Sequence, residues 1–202
     1  MKKILLTVIG LLLLTVSVES SNIMLKAQGA IVKLDITNGL TSGYCTAFSI
    51  DGKKEIFLTA AHCLGPTITV GGDTDNPAQV LAVSSIVDTA VIKIPRHGVT
   101  ELQPAEPHNL DGQTIYLTGF GHGWPVPIPM KSPFLGVDVI ESHPLGYYLI
   151  VGGGCIGGMS GGPALDEDGR VIGMIQRTTD VVCAVRPVDL IMLIAAPFWR
   201  IK

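Results

Sequence analysis

The sequence predicts an all-β protein: two six-stranded antiparallel β-barrels followed by a short C-terminal helix. Three observations carry that reading. Short stretches rich in Val, Ile, Leu and Thr recur along the chain, as half-buried strands do. Turn-forming residues separate them, drawn from 24 Gly and 13 Pro. The stretch Pro95–Gly112, with three prolines and two glycines, divides the strands into six before it and six after it. Closing each set into a barrel leaves no exposed sheet edge, which favours barrels over open sheets.

The first 20 residues stand apart from the fold. Lys2 and Lys3 precede an apolar run from Ile4 to Val18, followed by Glu19-Ser20-Ser21. This is the pattern of a secretory signal peptide, with Val18 and Ser20 meeting the small-residue rule for cleavage after Ser20. A retained anchor is the competing reading, but the run is shorter than the ~20 residues that span a bilayer. The expected organisation is a signal peptide over 1–20, an N-terminal barrel over 21–107 and a C-terminal barrel with the helix over 108–202. The two barrels together form one domain.

In the first half the strands are expected at Ala30–Ile36, Tyr44–Ile50, Glu55–Thr59, Thr67–Val70, Gln79–Ser84 and Ala90–Ile94. Asn38-Gly39, Asp51-Gly52, Gly65-Pro66 and Gly71-Gly72-Asp73 supply the turns between them. Pro95–Gly112 reads as a linker over the surface. The second half is expected to have strands at Thr114–Gly119, Leu135–Glu141, Tyr147–Val151, Pro163–Leu165, Val171–Gln176 and Val182–Arg186. Asp168-Gly169 is a hairpin turn. Pro187-Val188-Asp189 leads into a helix over Leu190–Ala196, with Asp189 as its N-cap and Pro197 as its stop.

A net charge of −3 with 15% charged residues excludes a basic nucleic-acid footprint. Cys45, Cys63, Cys155 and Cys183 form no CxxC, and no histidine falls at zinc-finger spacing, so neither a metal site nor a cofactor is expected. In the oxidising compartment that a signal peptide implies, four cysteines suggest two disulfides, with three possible pairings. The local pairing, Cys45 with Cys63 and Cys155 with Cys183, puts one bridge in each half, each contributing on the order of 3 kcal/mol.

The chemistry concentrates in Gly157-Gly158-Met159-Ser160-Gly161-Gly162-Pro163, Thr59-Ala60-Ala61-His62-Cys63 and Asp88-Thr89-Ala90. A serine between glycines can sit on a tight turn with backbone N–H groups aimed at one point, which attack on a carbonyl requires. A serine hydroxyl needs a base, and His62 and Asp88 offer a base and its orienter. The histidine and serine segments resemble the signatures of chymotrypsin-like (trypsin-fold) serine proteases. Asp88-Thr89-Ala90-Val91-Ile92-Lys93-Ile94 is similar to that family's aspartate strand, and Thr118-Gly119-Phe120-Gly121 to the segment opening its second barrel. The order His, Asp, Ser matches as well.

The resemblance covers essentially the whole chain after the leader. It implies Ser160 as nucleophile, His62 as general base and acid, Asp88 as its orienter, and the N–H groups of Gly158 and Ser160 as the oxyanion hole. Asp73 and Asp75 are alternative orienters, but they lie in a Gly/Asp/Asn/Pro loop without a following apolar strand. The resemblance also implies the local disulfide pairing. It places the floor of the primary pocket at Gly153 and Gly154 and its wall at Ile175, Gln176, Arg177 and Thr178. With no acid at the floor and Ile175 where glutamate-specific relatives carry histidine, a small or mid-sized apolar substrate residue is expected.

Two departures mark the chain. Met159 stands where digestive members carry an aspartate, and Ser21-Asn22-Ile23-Met24 is not an activation end, so activity is expected not to need an N-terminal salt bridge. The compact spacing is similar to that of bacterial, phage or heat-shock-type trypsin-like peptidases, without a downstream peptide-binding domain. The expected protein is therefore a secreted or periplasmic monomeric endopeptidase acting on a protein or peptide substrate. It forms an acyl-enzyme, weakens in acid as His62 protonates, and makes no stable membrane insertion once the leader is cleaved. The rival readings are a catalytically silent binding protein on the same fold and an esterase using the same triad. His97, His108, His122 and His143 read as solvated loop residues, and Trp124 as a packed loop anchor.

Overall fold

Alternating apolar residues and turn-forming glycines build twelve strands in the computed structural model, which describes residues 21–37, 41–96, 98–139, 145–179 and 181–199. The segment expected to be a signal peptide, the expected Asn38-Gly39 turn, His97 and His143 lie outside the described residues.

The first six strands are β1 (Ile31–Thr37), β2 (Ser42–Asp51), β3 (Ile56–Thr59), β4 (Thr67–Val70), β5 (Gln79–Ser84) and β6 (Thr89–Lys93). They form an antiparallel sheet in the order β4-β1-β2-β3-β6-β5. The second six are β7 (Thr114–Gly119), β8 (Ile128–Val139), β9 (Tyr147–Gly152), β10 (Pro163–Leu165), β11 (Val171–Thr178) and β12 (Val182–Pro187). They close into a barrel, sealed where β10 pairs with β7 through Ala164 and Leu117.

The all-β expectation of two six-stranded units therefore holds, but the closure of the first does not. No ladder joins β4 to β5 among the described residues; the Ala78 N–H donates to the Ile68 carbonyl at 2.8 Å. The connection from Gly71 to Pro77 explains this. It is held by its own polar side chains, with Asp73 accepting from the Asp75 N–H and the Asn76 amide, and Pro77 has no N–H to offer.

Two helices complete the first half instead. Residues 21–28 form helix α1, which the sequence reading did not foresee, and Val188–Ala195 form α2. Met24 and Ala27 from α1 enter the same core cluster as Ile191 and Ala195 from α2, together with Trp199. The Trp199 ring packs against Phe48, and its indole N–H donates to the Leu102 carbonyl. Burying each such large apolar side chain is worth roughly 1.5–3 kcal/mol. The second barrel fills itself, with Ile115, Leu117, Val151, Met159, Ile175 and Val185 at its centre.

One further expectation changes. Pro187, not Asp189, is the N-cap of α2, and no side chain caps that end. Asp189 lies inside the first turn, where its carboxylate accepts the Tyr147 hydroxyl, a bond that turns it away from the backbone. The linker runs largely over the surface, as expected, but it is anchored at points along its length. Leu102 is fully buried, its N–H donates to the Ser49 carbonyl, and the Ala105 N–H donates to the Val171 carbonyl. It is stitched to both halves and fixes them against each other.

Candidate active site

The His62–Asp88 pair comes from the ends of β3 and β6, which pair directly with Thr59 opposite Ala90. His62 sits in a single 3-10 turn, Ala61–Cys63, just beyond β3. Asp88 takes a left-handed conformation, φ +49°, one that aspartate tolerates better than most residues. Both its carboxylate oxygens are committed to His62: Oδ1 accepts the backbone N–H at 2.9 Å and Oδ2 meets ring Nδ1 at 2.8 Å. With Nδ1–H donated to the carboxylate, Nε2 keeps its lone pair for another proton. Asp73 and Asp75 lie in the β4–β5 connection, where Asp73 holds its own loop and the Asn76 amide keeps its carboxyl below the ordinary value.

A second network holds Asp88 from behind. Gln176 is buried, and its amide N–H groups donate to the carbonyls of Val87 and Asp88 at 3.0 and 2.7 Å. Its Oε1 accepts from Arg186 Nε, and Arg186 also donates to the carbonyls of Leu145 and Tyr147 and to the Tyr148 hydroxyl. The Arg186 guanidinium lies 4.0 Å from the centre of the Tyr148 ring. Burial lowers its pKa from the ordinary arginine value, against the opposing pull of Tyr148 and Asp88. Neither role was visible in the sequence, where Gln176 resembled a pocket wall and Arg186 a strand residue.

Ser160 belongs to a turn made of anchored peptide planes. The Gly157 carbonyl accepts the His122 N–H at 2.6 Å, and the Met159 carbonyl accepts the Gly162 N–H at 2.9 Å. In a planar trans peptide the N–H points opposite to its carbonyl. The N–H groups of Gly158 and Ser160 are therefore aimed away from those partners, and among the described residues neither meets an internal acceptor. Only glycine fits at 158: φ is +99°, and a Cβ there would lie 2.5 Å from the Phe120 carbonyl oxygen. Met159 is fully buried in the barrel core. His122 is exposed, as expected, and its backbone, at φ +53°, also braces this turn.

The two sides meet. The Ser160 carbonyl lies 3.8 Å from Cys63 Sγ, one residue from His62. The Ser160 hydroxyl donates to the Gln176 carbonyl at 3.3 Å, and among the described residues it makes no hydrogen bond to His62. A catalytic bond of this kind is often loose without substrate.

Both disulfides follow the local pairing: Cys45–Cys63 beneath His62 and Cys155–Cys183 beside the serine turn. Cys45, His62 and Cys63 cluster closely enough to suggest metal ligands, but both sulfurs are consumed by their bridge.

The expected pocket residues lie just beyond β9 and along the end of β11, the two strands that flank β12. Gly153 and Gly154 have φ of +86° and +52°, and Gly153 donates its N–H to the Val181 carbonyl. Ile175 faces the barrel core, whereas Gln176, buried at the interface, borders the cleft beside His62 and Asp88. Arg177 is exposed, and the Thr178 backbone pairs with Cys183 at the end of β11. A cleft of about 760 Å³ borders His62 and Asp88, lined also by Val83, Ile86, Tyr148 and Arg177. Trp124 is 56% exposed and so does not anchor its loop.

Two β-units with a histidine–aspartate pair on one and a glycine-flanked serine on the other have the architecture of a trypsin-like peptidase domain. The trypsin-like peptidase domain family matches residues 45–174, and the chain belongs to that family. No curated protein matches the sequence significantly. Among solved structures, the HtrA-type protease AlgW with a tripeptide superimposes with a TM-score of 0.74 at 18% identity, over 86% of this chain. This chain spans 61% of that AlgW chain. The active form of the Rv3671c protease from M. tuberculosis superimposes with a TM-score of 0.70 at 20% identity, over 89% of this chain and 85% of its own. These likenesses are of fold.

Proposed function

We propose that the protein is an exported endopeptidase that cleaves proteins or peptides through a His62–Asp88–Ser160 triad and an acyl-enzyme. The observation that carries this is the double clamp of Asp88 on His62, which fixes the tautomer a general base needs. The Ser160 hydroxyl turns from the Gln176 carbonyl to His62 Nε2 when substrate arrives. His62 takes its proton as Oγ attacks the scissile carbonyl. The N–H groups of Gly158 and Ser160 receive the oxyanion, and the imidazolium protonates the leaving amine. Water then repeats the sequence to release the acid.

No metal or cofactor takes part in these steps. The P1 side chain enters between Gly153-Gly154 and the backbone of 175–178, where a small or mid-sized apolar group fits best. Arg177 stands at the rim. Residues 1–20 act as a cleaved leader, and residues 21–107 and 108–202 are the two halves of one monomeric peptidase domain. Two disulfides favour a secreted or periplasmic site of action. Among the described residues no helix is long and apolar enough to cross a membrane.

The test is Ser160→Ala in the purified exported protein. It should abolish peptide hydrolysis and labelling by a fluorophosphonate; labelling that persists overturns the assignment.

A further inference from the structure

One buried hydroxyl joins the two halves at the serine turn. Thr46 lies in β2, directly after Cys45, and is fully buried. Its Oγ1 donates to the Gly158 carbonyl at 2.9 Å and accepts the Phe120 N–H at 3.0 Å. Its backbone N–H donates to the Ser160 carbonyl at 2.8 Å, and its carbonyl accepts the Thr59 hydroxyl at 2.8 Å. A single residue of the first sheet thus bonds to both ends of the 158–160 turn, to the start of the 120–123 turn, and to the strand end that leads to His62. The halves are in close contact here: a Cβ on Gly161 would lie 2.1 Å from the Thr46 carbonyl oxygen.

We propose that the Thr46 hydroxyl is a positioning group that holds the oxyanion turn in its productive orientation, an inference that rests on the peptidase reading above. Three successive peptide planes make up the turn. The first is tied by the His122 N–H on the Gly157 carbonyl and the third by the Gly162 N–H on the Met159 carbonyl. The middle plane is tied on its N–H side by the Ile156 carbonyl at 3.0 Å, a bond within the turn itself, and on its carbonyl side by Thr46, its tie to the other half. A glycine at φ +99° has wide conformational freedom, so the plane beside it needs an external tie. Met159 cannot supply one through charge, because its side chain is apolar and enclosed in the barrel core. Thr46 also accepts the N–H of Phe120, whose carbonyl faces Gly158, and so sets the two turns against each other. Thr46 acts through backbone groups and does not touch the substrate.

The test compares the wild-type protein with Thr46→Val, which keeps the shape and loses the hydroxyl, and Thr46→Ser, which restores it. Four quantities are read: kcat and KM on a peptide substrate, affinity for a boronic acid of the same peptide, and Kd of the intact peptide in a Ser160→Ala background. The boronate adduct carries a tetrahedral oxygen and so depends on the oxyanion turn, whereas intact peptide does not.

For Thr46→Val, kcat and boronate affinity should each fall about tenfold, the effect of one buried hydrogen bond lost, with peptide Kd held within about twofold. Thr46→Ser should recover most of both. Unchanged kcat, or a loss seen equally in peptide Kd, overturns the inference, as does failure of serine to rescue. If Thr46→Val does not fold, Thr46→Ala removes the hydroxyl without setting a methyl against the Gly158 carbonyl, and the same criteria apply. A wild-type protein inert to peptides and to fluorophosphonate overturns the peptidase reading and this inference with it. An active wild type with an indifferent Thr46→Val overturns the inference alone.

Discussion

The two walls of the cleft are built from different materials. On the side of the open sheet the working groups are side chains, His62 and Asp88, with 45% and 21% of their side-chain surfaces exposed. On the barrel side they are backbone N–H groups on a glycine turn over a fully buried Met159. Each wall is also fastened from the opposite half. Gln176 of the barrel grips the Asp88 carbonyl, and Thr46 of the sheet grips the Gly158 carbonyl. The difference teaches where each wall is vulnerable. The backbone wall fails when its conformation is disturbed; the side-chain wall fails when a polar partner is removed.

The sharpest way to break this contrast is Gly158→Ala. The added methyl meets the Phe120 carbonyl oxygen at 2.5 Å, at a φ that disfavours any Cβ, so the turn must shift and its N–H groups with it. The expected loss in kcat is about 10²–10³, the cost of removing one oxyanion donor. Steady-state kinetics with a thermal melt as folding control decide the matter. A folded variant at wild-type rate would show that the wall is not built from this backbone.

Gln176→Met probes the other wall. It keeps length and apolar bulk but leaves the Asp88 carbonyl and the Arg186 Nε without this partner, while the Val87 carbonyl keeps the Thr89 hydroxyl. Buried groups left unsatisfied cost about 1–3 kcal/mol each, so a clear fall in melting temperature is expected. If Gln176 positions Asp88, kcat also falls, by about tenfold. A loss of stability at constant kcat would make Gln176 a tie between the halves and nothing more.

How far the sequence discloses this site follows from what each feature depends on. Local chemistry was legible. The strands Thr67–Val70, Gln79–Ser84, Thr114–Gly119 and Pro163–Leu165 have the expected limits, because turn residues punctuate them closely. The disulfides followed from the family resemblance. Features that depend on the partner half were not legible. Nothing in Tyr44-Cys45-Thr46-Ala47 shows that Thr46 meets a carbonyl 112 residues away. Gln176 resembles a pocket residue until its amide is seen across the interface.

Strand β8 was misjudged for a different reason. Its expected start at Leu135 lies seven residues beyond the true one, and the stretch left out contains Pro129 and Pro133, residues that disfavour a strand. The Phe134 N–H points to β7, donating to the Gln113 carbonyl. N–H direction alternates along a strand, so both prolines, an odd number of residues away, turn their missing donors outward. The first half was expected to close as a barrel because closure hides edges, whereas helices from both ends of the chain pack on its core instead.

The smallest expected effect concerns the support behind the side-chain wall. The Tyr147 hydroxyl donates to Asp189 of α2, while the Tyr147 carbonyl accepts from Arg186. Burial first, and then the hydrogen bond and charge of Asp189, push the Tyr147 pKa up from 10.0 to about 12, against the opposing pull of Arg186. The folded protein therefore holds this proton where the unfolded chain has begun to lose it. That preference stabilises the fold in full below pH 10.0 and is lost as pH rises towards about 12. Tyr147→Phe should flatten that part of the alkaline decline. Its cost near neutral pH should be at most about 4 °C in Tm, since partly exposed polar pairs contribute ~1 kcal/mol or less. Melting curves of both proteins from neutral pH to pH 12 make the comparison. An unchanged alkaline slope would mean that α2 docks through its apolar side chains, Ile191 and Ala195 among them, without help from Tyr147, and that the Arg186–Gln176 support behind Asp88 is independent of the helix.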